Sequence, residues 1–390
     1  MVKILTKQNV WDAGLERIRY LFDEFDEVCV SFSGGKDSTV TLQLALIVAE
    51  EKGRLPLTVQ FLDQEAEWQN VIDYMRVVMT DKRIKPMWFQ MPIRLTNSTS
   101  NEDHYLNCWE DGAEWMRERE PYAITENVYG TDRFHKLFAQ IYKHHYPDKK
   151  VAVLAGVRAE ESPARLMGLT VSASYNWITW AKVHCKKKHH YTFYPLYDWS
   201  YTDIWKAIHD NEWEYAKAYD YMYQYGIQPA KMRVSNLHHE TAVHTLFYLQ
   251  EIEKDTWDRL TKRLGGINQA KHAKKSEIFQ APTKLPYMFV DWREYRDYLL
   301  EHLVTDDAYR EAMRKKFAKM EENYSQMVGI EKMYKVHIST IMLQDIDFTK
   351  CINFESNPQA KIYRKWHRGD PKDHDRIRKS PYKQWLPEIL

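Results

Sequence analysis

The sequence predicts an α/β protein: a doubly wound parallel sheet followed by a helical C-terminal domain. Three observations carry that expectation. Short β-branched runs alternate with helical spacings through the first half of the chain, as in a parallel sheet covered by helices. The first of these runs breaks directly into a glycine pair and then a helix. Strand-like runs disappear from about Leu237 onward. With 390 residues, and roughly 100–200 residues per domain, the expected division is 1–236 and 237–390.

Taken in order, Val28–Phe32 is the first strand and Thr39–Ala49 the helix after it. Leu57–Leu62 is the second strand, and the spacing of Trp68, Val71, Ile72, Met75 and Met79 predicts its helix. Pro86–Met91 fits a further strand with a proline at its start. About residues 94–121, where Trp109 and Trp115 stand among acidic residues, the alternation breaks, and this stretch reads as an inserted lid or partner surface. Helical spacing over Thr131–His145 then leads to the strand Val151–Ala155, which runs into Gly156. Thr241–Leu249, Thr256–Leu264, Trp292–Leu303 and Asp307–Tyr324 carry helical spacing in the second half.

Composition narrows the class. The apolar fraction is 44% and the mean hydropathy −0.65, and no window approaches the ~18 apolar residues a spanning helix needs, so no membrane association is expected. The first residues lack a signal-peptide core, and a cytoplasmic location is expected. Cys29, Cys108, Cys185 and Cys351 form no C-x-x-C pair, which predicts neither a disulfide framework nor an iron–sulfur cluster. Lys/Arg total 56 against 55 Asp/Glu, yet Lys361–Lys383 holds nine Lys/Arg and three Asp. That basic tail, with Trp366 and Tyr382 interleaved, suits either a solvated face or nucleic-acid contact.

The chemistry concentrates in two loops. Ser33-Gly34-Gly35-Lys36-Asp37-Ser38 follows the first strand and opens the first helix. Two glycines let the backbone turn tightly and present consecutive N–H groups, and the helix start adds its positive end, which makes an anion site. Ser33 and Ser38 add hydrogen bonds, Lys36 a charge, and Asp37 a carboxylate able to hold a divalent cation between phosphates. The Walker A spacing is not met. The second loop, Gly156–Arg165, leaves the strand Val151–Ala155 where a ligand crevice is expected. Arg158 and Arg165 suit planar contact with phosphate or sulfate oxygens, and Glu160 and Glu161 can orient them or bind metal. A surface ion-pair cluster at a helix start is the alternative for the second loop.

On Ser31–Thr39, Phe61-Leu62-Asp63, Gly156–Arg165 and Tyr194–Trp205, the chain resembles the phosphoadenosine phosphosulfate (PAPS) reductase family of PP-loop, ATP pyrophosphatase-like proteins, whose sheet is of the adenine nucleotide alpha hydrolase type. Tyr219–Gly226, Met232-Arg233 and the helical remainder are similar to an IbrA-like subgroup linked to gene regulation alongside a ParB-like partner. The resemblance implies an adenine nucleotide with its phosphates on Ser33–Ser38 and its adenosine near Phe61 and Asp63. Asp63 fits a ribose or cation ligand and a turn-stabilising residue equally.

The family's reductases act through a cysteine in a C-terminal Glu-Cys-Gly-Leu-His type motif, which this sequence lacks; Cys351 lies in an apolar setting that suits a core thiol. The expected activity is therefore cleavage of ATP–Mg²⁺ between the α- and β-phosphates, with Lys36, Asp37 and Arg158 catalytic and Asp37 holding Mg²⁺. The resemblance implies as alternatives a PAPS or adenylyl-sulfate enzyme using Cys351, Cys185 or an external thiol, and a nucleotide-dependent regulatory subunit acting with a ParB-like protein. His184-Cys185 and His189-His190 flank three lysines, a spacing that favours a basic loop over zinc.

Overall fold

In the computed structural model, residues 6–379 are described apart from 98–104, 235, 240–242, 266, 268–283, 305, 326, 328, 344 and 368. The chain divides into two compact units, 1–272 and 273–390.

The first unit opens with helix α1 (Val10–Glu24), capped by the Asn9 side chain on the Asp12 N–H, which buries Leu15, Ile18, Leu21 and Phe22. Then follow β1 (Glu27–Ser31), α2 (Lys36–Glu51), β2 (Leu57–Leu62), α3 (Gln69–Met79) and β3 (Ile84–Phe89). The insertion carries a hairpin of β4 (Ile93–Thr96) and β5 (Tyr105–Cys108). After it come α4 (Phe134–His145), β6 (Val151–Ala155), α5 (Pro163–Thr170), β7 (Ala181–Cys185), β8 (His190–Phe193), α6 (Tyr201–Asp210), α7 (Ala218–Gln224), α8 (Val243–Ile252) and α9 (Lys254–Arg263).

The main sheet runs β3-β2-β1-β6-β8-β7. All neighbours are parallel except β7, which pairs antiparallel with β8 through a register shift between Val183 and Cys185. Successive strands leave β1 toward β2 and β3 on one side and reach β6 on the other, so the strand order reverses between β1 and β6. Ligands of doubly wound sheets bind beyond the carboxyl ends of the strands at such a switch point. Buried on both faces, the central strands read as apolar runs: Val28, Cys29 and Val30 in β1 and Val151–Leu154 in β6. Pro86 sits in β3, an edge strand, where a missing N–H is tolerated.

The insertion differs from a free lid. Trp109 is fully buried, and the Ile124 N–H donates to the Trp88 carbonyl at 2.7 Å, extending the sheet past β3. The histidine run forms the β7–β8 hairpin, where His184 bonds Thr192 at 2.7 Å and His190 bonds the Lys149 carbonyl at 3.2 Å. Burial holds His184 down at about 4. Among the described residues no three His, Cys, Asp or Glu are grouped to hold a metal ion.

Beyond Leu237, Leu246 and Leu249 of α8 and Trp257 and Leu260 of α9 join the core of the first unit. Compactness therefore divides the chain later than the change to all-helical sequence at 236/237. The second unit holds helices Trp292–Leu303, Asp307–Tyr324, Glu331–Met342, Thr349–Ser356, Pro358–His367 and Pro371–Arg378. They enclose a separate core of Leu300, Met313, Phe317, Ile338, Ile341 and Cys351. Within the basic tail the helices Pro358–His367 and Pro371–Arg378 are described, and residues 380–390 lie outside the described residues. No described helix is long and apolar enough to cross a membrane.

Candidate nucleotide site at the switch point

The register between β1 and β6 pairs Ser31 with Ala155, so the two glycine loops leave the sheet side by side. Gly34 has φ +71°, and a Cβ there would stand 2.6 Å from Val71 Cγ1. Both facts require glycine. Gly35 caps α2 in extended conformation. Ser38 Oγ donates to the Gly35 carbonyl (2.8 Å) and accepts the Ser33 N–H (3.3 Å), and the two serine hydroxyls lie 3.1 Å apart. Gly156 is needed for another reason: a Cβ would come within 2.5 Å of the Asp37 carbonyl carbon and the Ser38 nitrogen. The second loop thus nests against the first turn of α2.

Charge gathers around that turn. Lys36 is buried, with Nζ 3.2 Å from Asp37 Oδ2 and 3.2 Å from the Met232 carbonyl, and 5.3 Å from the centre of the Tyr219 ring. Desolvation lowers its proton affinity, the Asp37 carboxylate raises it, and Arg158 and Arg233 lower it again. The other Asp37 oxygen accepts from Arg158 Nε. Both carboxylate oxygens expected to serve a cation therefore already face positive side chains. Arg158 is placed by a reciprocal cap: its N–H donates to Glu161 Oε1 at 3.0 Å. Glu161 Oε2 in turn accepts from Arg165, whose N–H is capped by Ser162 at 3.2 Å.

Two contributors stood out in the sequence only through the subgroup resemblance, not as residues of this site. Tyr219 Oη accepts the Lys36 N–H at 3.1 Å, and burial, then the Asp37 charge, keeps that hydroxyl protonated. Arg233 donates to the Glu161 carbonyl at 3.2 Å. Both lie far from the loops in sequence, in a tyrosine-rich run and beside Met232, and no local spacing marks them.

The end of β2 is built otherwise. Phe61 is buried edge-on to Trp88, ring centres 5.4 Å apart. Asp63 is 0% exposed. Its Oδ1 accepts from Arg117 and from the Glu65 N–H (2.9 Å), and its Oδ2 from Trp88 Nε1 (2.8 Å) and Gln90 Nε2 (2.9 Å). With four donors on two oxygens, Asp63 has no capacity left for a ribose hydroxyl or a cation. Of the two roles open in the sequence, the structure seats it as an anchor. Its neighbour Glu65 receives the Trp109 N–H at 2.8 Å and Arg263 Nε at 2.7 Å, and so ties the insertion and α9 to the same loop.

The thiols are mostly out of reach. Cys29, Cys108 and Cys351 are buried, and Cys185 is half-buried. Burial pushes the Cys351 thiol up to about 11, with its Thr340 hydrogen bond pulling the other way.

A parallel sheet switching direction between β1 and β6, with a Ser-Gly-Gly-Lys-Asp-Ser turn at that point, defines a PP-loop α/β protein. The chain matches the phosphoadenosine phosphosulfate reductase domain over residues 27–225 and a domain of unknown function, DUF3440, over 226–364. It belongs to the PAPS reductase domain family, in the branch that carries the DUF3440 region. It is 30% identical over 351 residues to the uncharacterized protein YbdN of Escherichia coli (strain K12), covering 84% of this chain and 83% of that relative.

Among solved structures it is similar to Candida glabrata FMN adenylyltransferase, at 14% identity and a TM-score of 0.34, over 56% of this chain and 62% of that one. It thus spans less than two thirds of that enzyme. It is also similar to the PAPS reductase of Candida auris in its phosphate complex, at 14% identity and a TM-score of 0.32, over 61% of this chain and 99% of that one.

Proposed function

We propose that the chain binds an adenine nucleotide at the β1/β6 switch point and cleaves ATP between the α- and β-phosphates, transferring adenylyl to an acceptor oxygen. The observation that carries this reading is the convergence of the α2 N-terminus, Lys36 and Arg158 on one crevice. The acceptor oxygen bonds to the α-phosphorus, the bond from that phosphorus to the α,β-bridging oxygen breaks, and its electron pair leaves on pyrophosphate. The acceptor's proton passes to solvent. Lys36, Arg158 and the loop N–H groups, including those of Gly34 and Gly35, offset the charge that develops on pyrophosphate, and no protein nucleophile is needed.

Bound Mg²⁺ supplies Lewis acidity to the phosphate oxygens. Asp37 is the carboxylate that would hold it, in exchange for one of its present cations, in keeping with the one or two carboxylates plus phosphates that Mg²⁺ takes. Ser33 and Ser38 hold the loop closed around the phosphates, Gly156 gives the second loop room, and Glu161 sets Arg158 and Arg165. The adenosine lies toward the end of β2, with Phe61 and Asp63 shaping the wall from behind.

Calorimetric titration with ATP–Mg²⁺, paired with an assay of pyrophosphate release, tests the reading. Lys36→Ala is expected to abolish binding and turnover while the fold is kept; activity retained in both Lys36→Ala and Asp37→Asn overturns it. A preference for PAPS over ATP–Mg²⁺ would favour the sulfonucleotide alternative with an external thiol, since Cys351 is buried in the second unit. Nucleic-acid affinity at low salt, lost on deleting residues 361–390, would favour the regulatory alternative and the search for a ParB-like partner.

A further inference from the structure

The match to the reductase domain ends at residue 225, yet the first compact unit runs on to 272. The opening of the DUF3440 region therefore folds as part of the nucleotide unit, with Met232, Leu237, Leu246, Leu249, Trp257 and Leu260 in its core. Its polar contacts go to the loops at the carboxyl ends of all three central strands. At β1 the Met232 carbonyl accepts from Lys36 Nζ at 3.2 Å. At β6 Arg233 donates to the Glu161 carbonyl at 3.2 Å. At β2 the Leu237 N–H donates to the Ala66 carbonyl at 2.8 Å. Arg263 of α9 donates through Nε to Glu65 Oε1 and through Nη2 to the Asn107 carbonyl, both at 2.7 Å. Glu253, between α8 and α9, accepts the Gln69 and Asn70 N–H groups at 2.7 and 2.9 Å. It thereby caps α3, whose own cap residue Trp68 supplies no side-chain bond.

Two of these contacts set geometry on which the rest of the site depends. An ammonium group has three N–H bonds. On Lys36 one is engaged by Asp37 and one by the Met232 carbonyl, which fixes the direction left for the third. Glu65 is fully buried in a left-handed backbone conformation, φ +62°. For a residue with a Cβ that conformation persists only where its surroundings hold it. Arg263 is the charged donor to the Glu65 carboxylate, and the Trp109 and Met116 N–H groups are neutral ones. With Arg263 gone, a buried carboxylate keeps only neutral donors, and the loop after β2 loses its bond to α9.

We infer that Arg263 is a positioning residue of the nucleotide site. Through Glu65 it fixes the β2–α3 loop, the loop fixes Leu237 through the Ala66 carbonyl, and the segment before Leu237 aims Lys36 through the Met232 carbonyl. The start of the region of unknown function thus completes the site without touching the ligand. This rests on the reading of the β1/β6 crevice as a nucleotide site, because Lys36 is the group being aimed.

The test uses the full-length chain well below its unfolding temperature, with two readouts: calorimetric affinity for ATP–Mg²⁺ and hydrogen exchange of the Leu237 N–H. Arg263→Gln is expected to weaken ATP–Mg²⁺ binding about fivefold or more and to speed exchange at Leu237 by a similar factor. The charge-free pair of Glu65→Gln with Arg263→Gln should lose less than Arg263→Gln alone. Arg263→Lys keeps the charge but not the fork to Asn107 and is expected to show a smaller loss of both, which is the comparison to use where Arg263→Gln does not fold. Arg54→Gln is the control, since Arg54 holds the Phe22 and Asp26 carbonyls at the amino end of the sheet; it is expected to lower the melting temperature and leave both readouts unchanged. ATP–Mg²⁺ affinity unchanged in Arg263→Gln, whatever its melting temperature, overturns the inference, as does a loss that Arg54→Gln reproduces. If wild type binds no adenine nucleotide, the nucleotide reading fails by itself. Exchange at Leu237 then still decides whether α9 holds the Lys36 segment, and a rate unchanged in Arg263→Gln shows that it does not.

Discussion

The carboxyl ends of β1 and β2 lie side by side in one sheet and both lead to acidic side chains, yet they are finished in opposite ways. At the end of β1, Asp37 faces two cations and keeps part of its surface open. At the end of β2, Asp63 is closed off by a tryptophan, a glutamine, an arginine and a main-chain N–H. A carboxylate next to a strand end becomes a site only when its donors leave it capacity; when they saturate it, it becomes an anchor. The contrast predicts that changes at β2 act on stability and changes at β1 act on binding.

The largest effect is expected from Asp63→Ala, which strands Arg117 in a buried position and removes the acceptor of Trp88 and Gln90. A loss of about 3–5 kcal/mol follows, read from the urea midpoint, and a variant as stable as wild type would break the comparison. Gly156→Ala forces a Cβ against the α2 backbone and should cost about 1–3 kcal/mol and most of the nucleotide affinity, in melting and titration together.

Glu67 gives a pH test. Burial, then the charge of Asp63, raises its carboxyl to about 8, with Arg117 pulling the other way. The folded protein then holds a proton that the unfolded chain releases near the ordinary 4.5. This contribution to stability is fully present below about 4.5 and is lost as pH rises to about 8. Glu67→Gln should flatten that part of the melting-temperature profile, and an unchanged slope would locate the titration elsewhere.

The smallest shift belongs to Lys36→Met. With Arg158 still on Asp37, stability should stay within about 1 kcal/mol of wild type, although ATP–Mg²⁺ binding is lost. A large stability loss here would erase the distinction between the two strand ends.

Most of the site's inner half was legible in the sequence, because its parts are local. Gly34, Lys36, Asp37 and Ser38 lie within one turn, and Arg158, Glu161 and Arg165 within another; strand, glycine and helix signals mark both turns. The strands β1, β2 and β6 followed from apolar runs, whereas their order in the sheet did not. Helix α1 was legible too, through Asn9 as cap and the stripe of Leu15, Ile18, Leu21 and Phe22, but the expectations began at the first strand. Other partners depend on the path of the chain. Arg117 meets Asp63 across 54 residues, and Tyr219 meets Lys36 across 183, distances at which no periodicity carries information. The β7–β8 hairpin was hidden by lysines that mask its alternation.

That hairpin has a consequence for the company the protein keeps. An edge strand with a flat row of free amides and carbonyls invites another chain to add to it. At one end of the sheet the edge strand is β7, bent by its irregularity at Val183 and Cys185, and its exposed face and turn carry Lys182, Lys186, Lys187 and Lys188. A second copy approaching this edge would meet a kinked ladder and its own positive charge, which disfavours strand addition at β7.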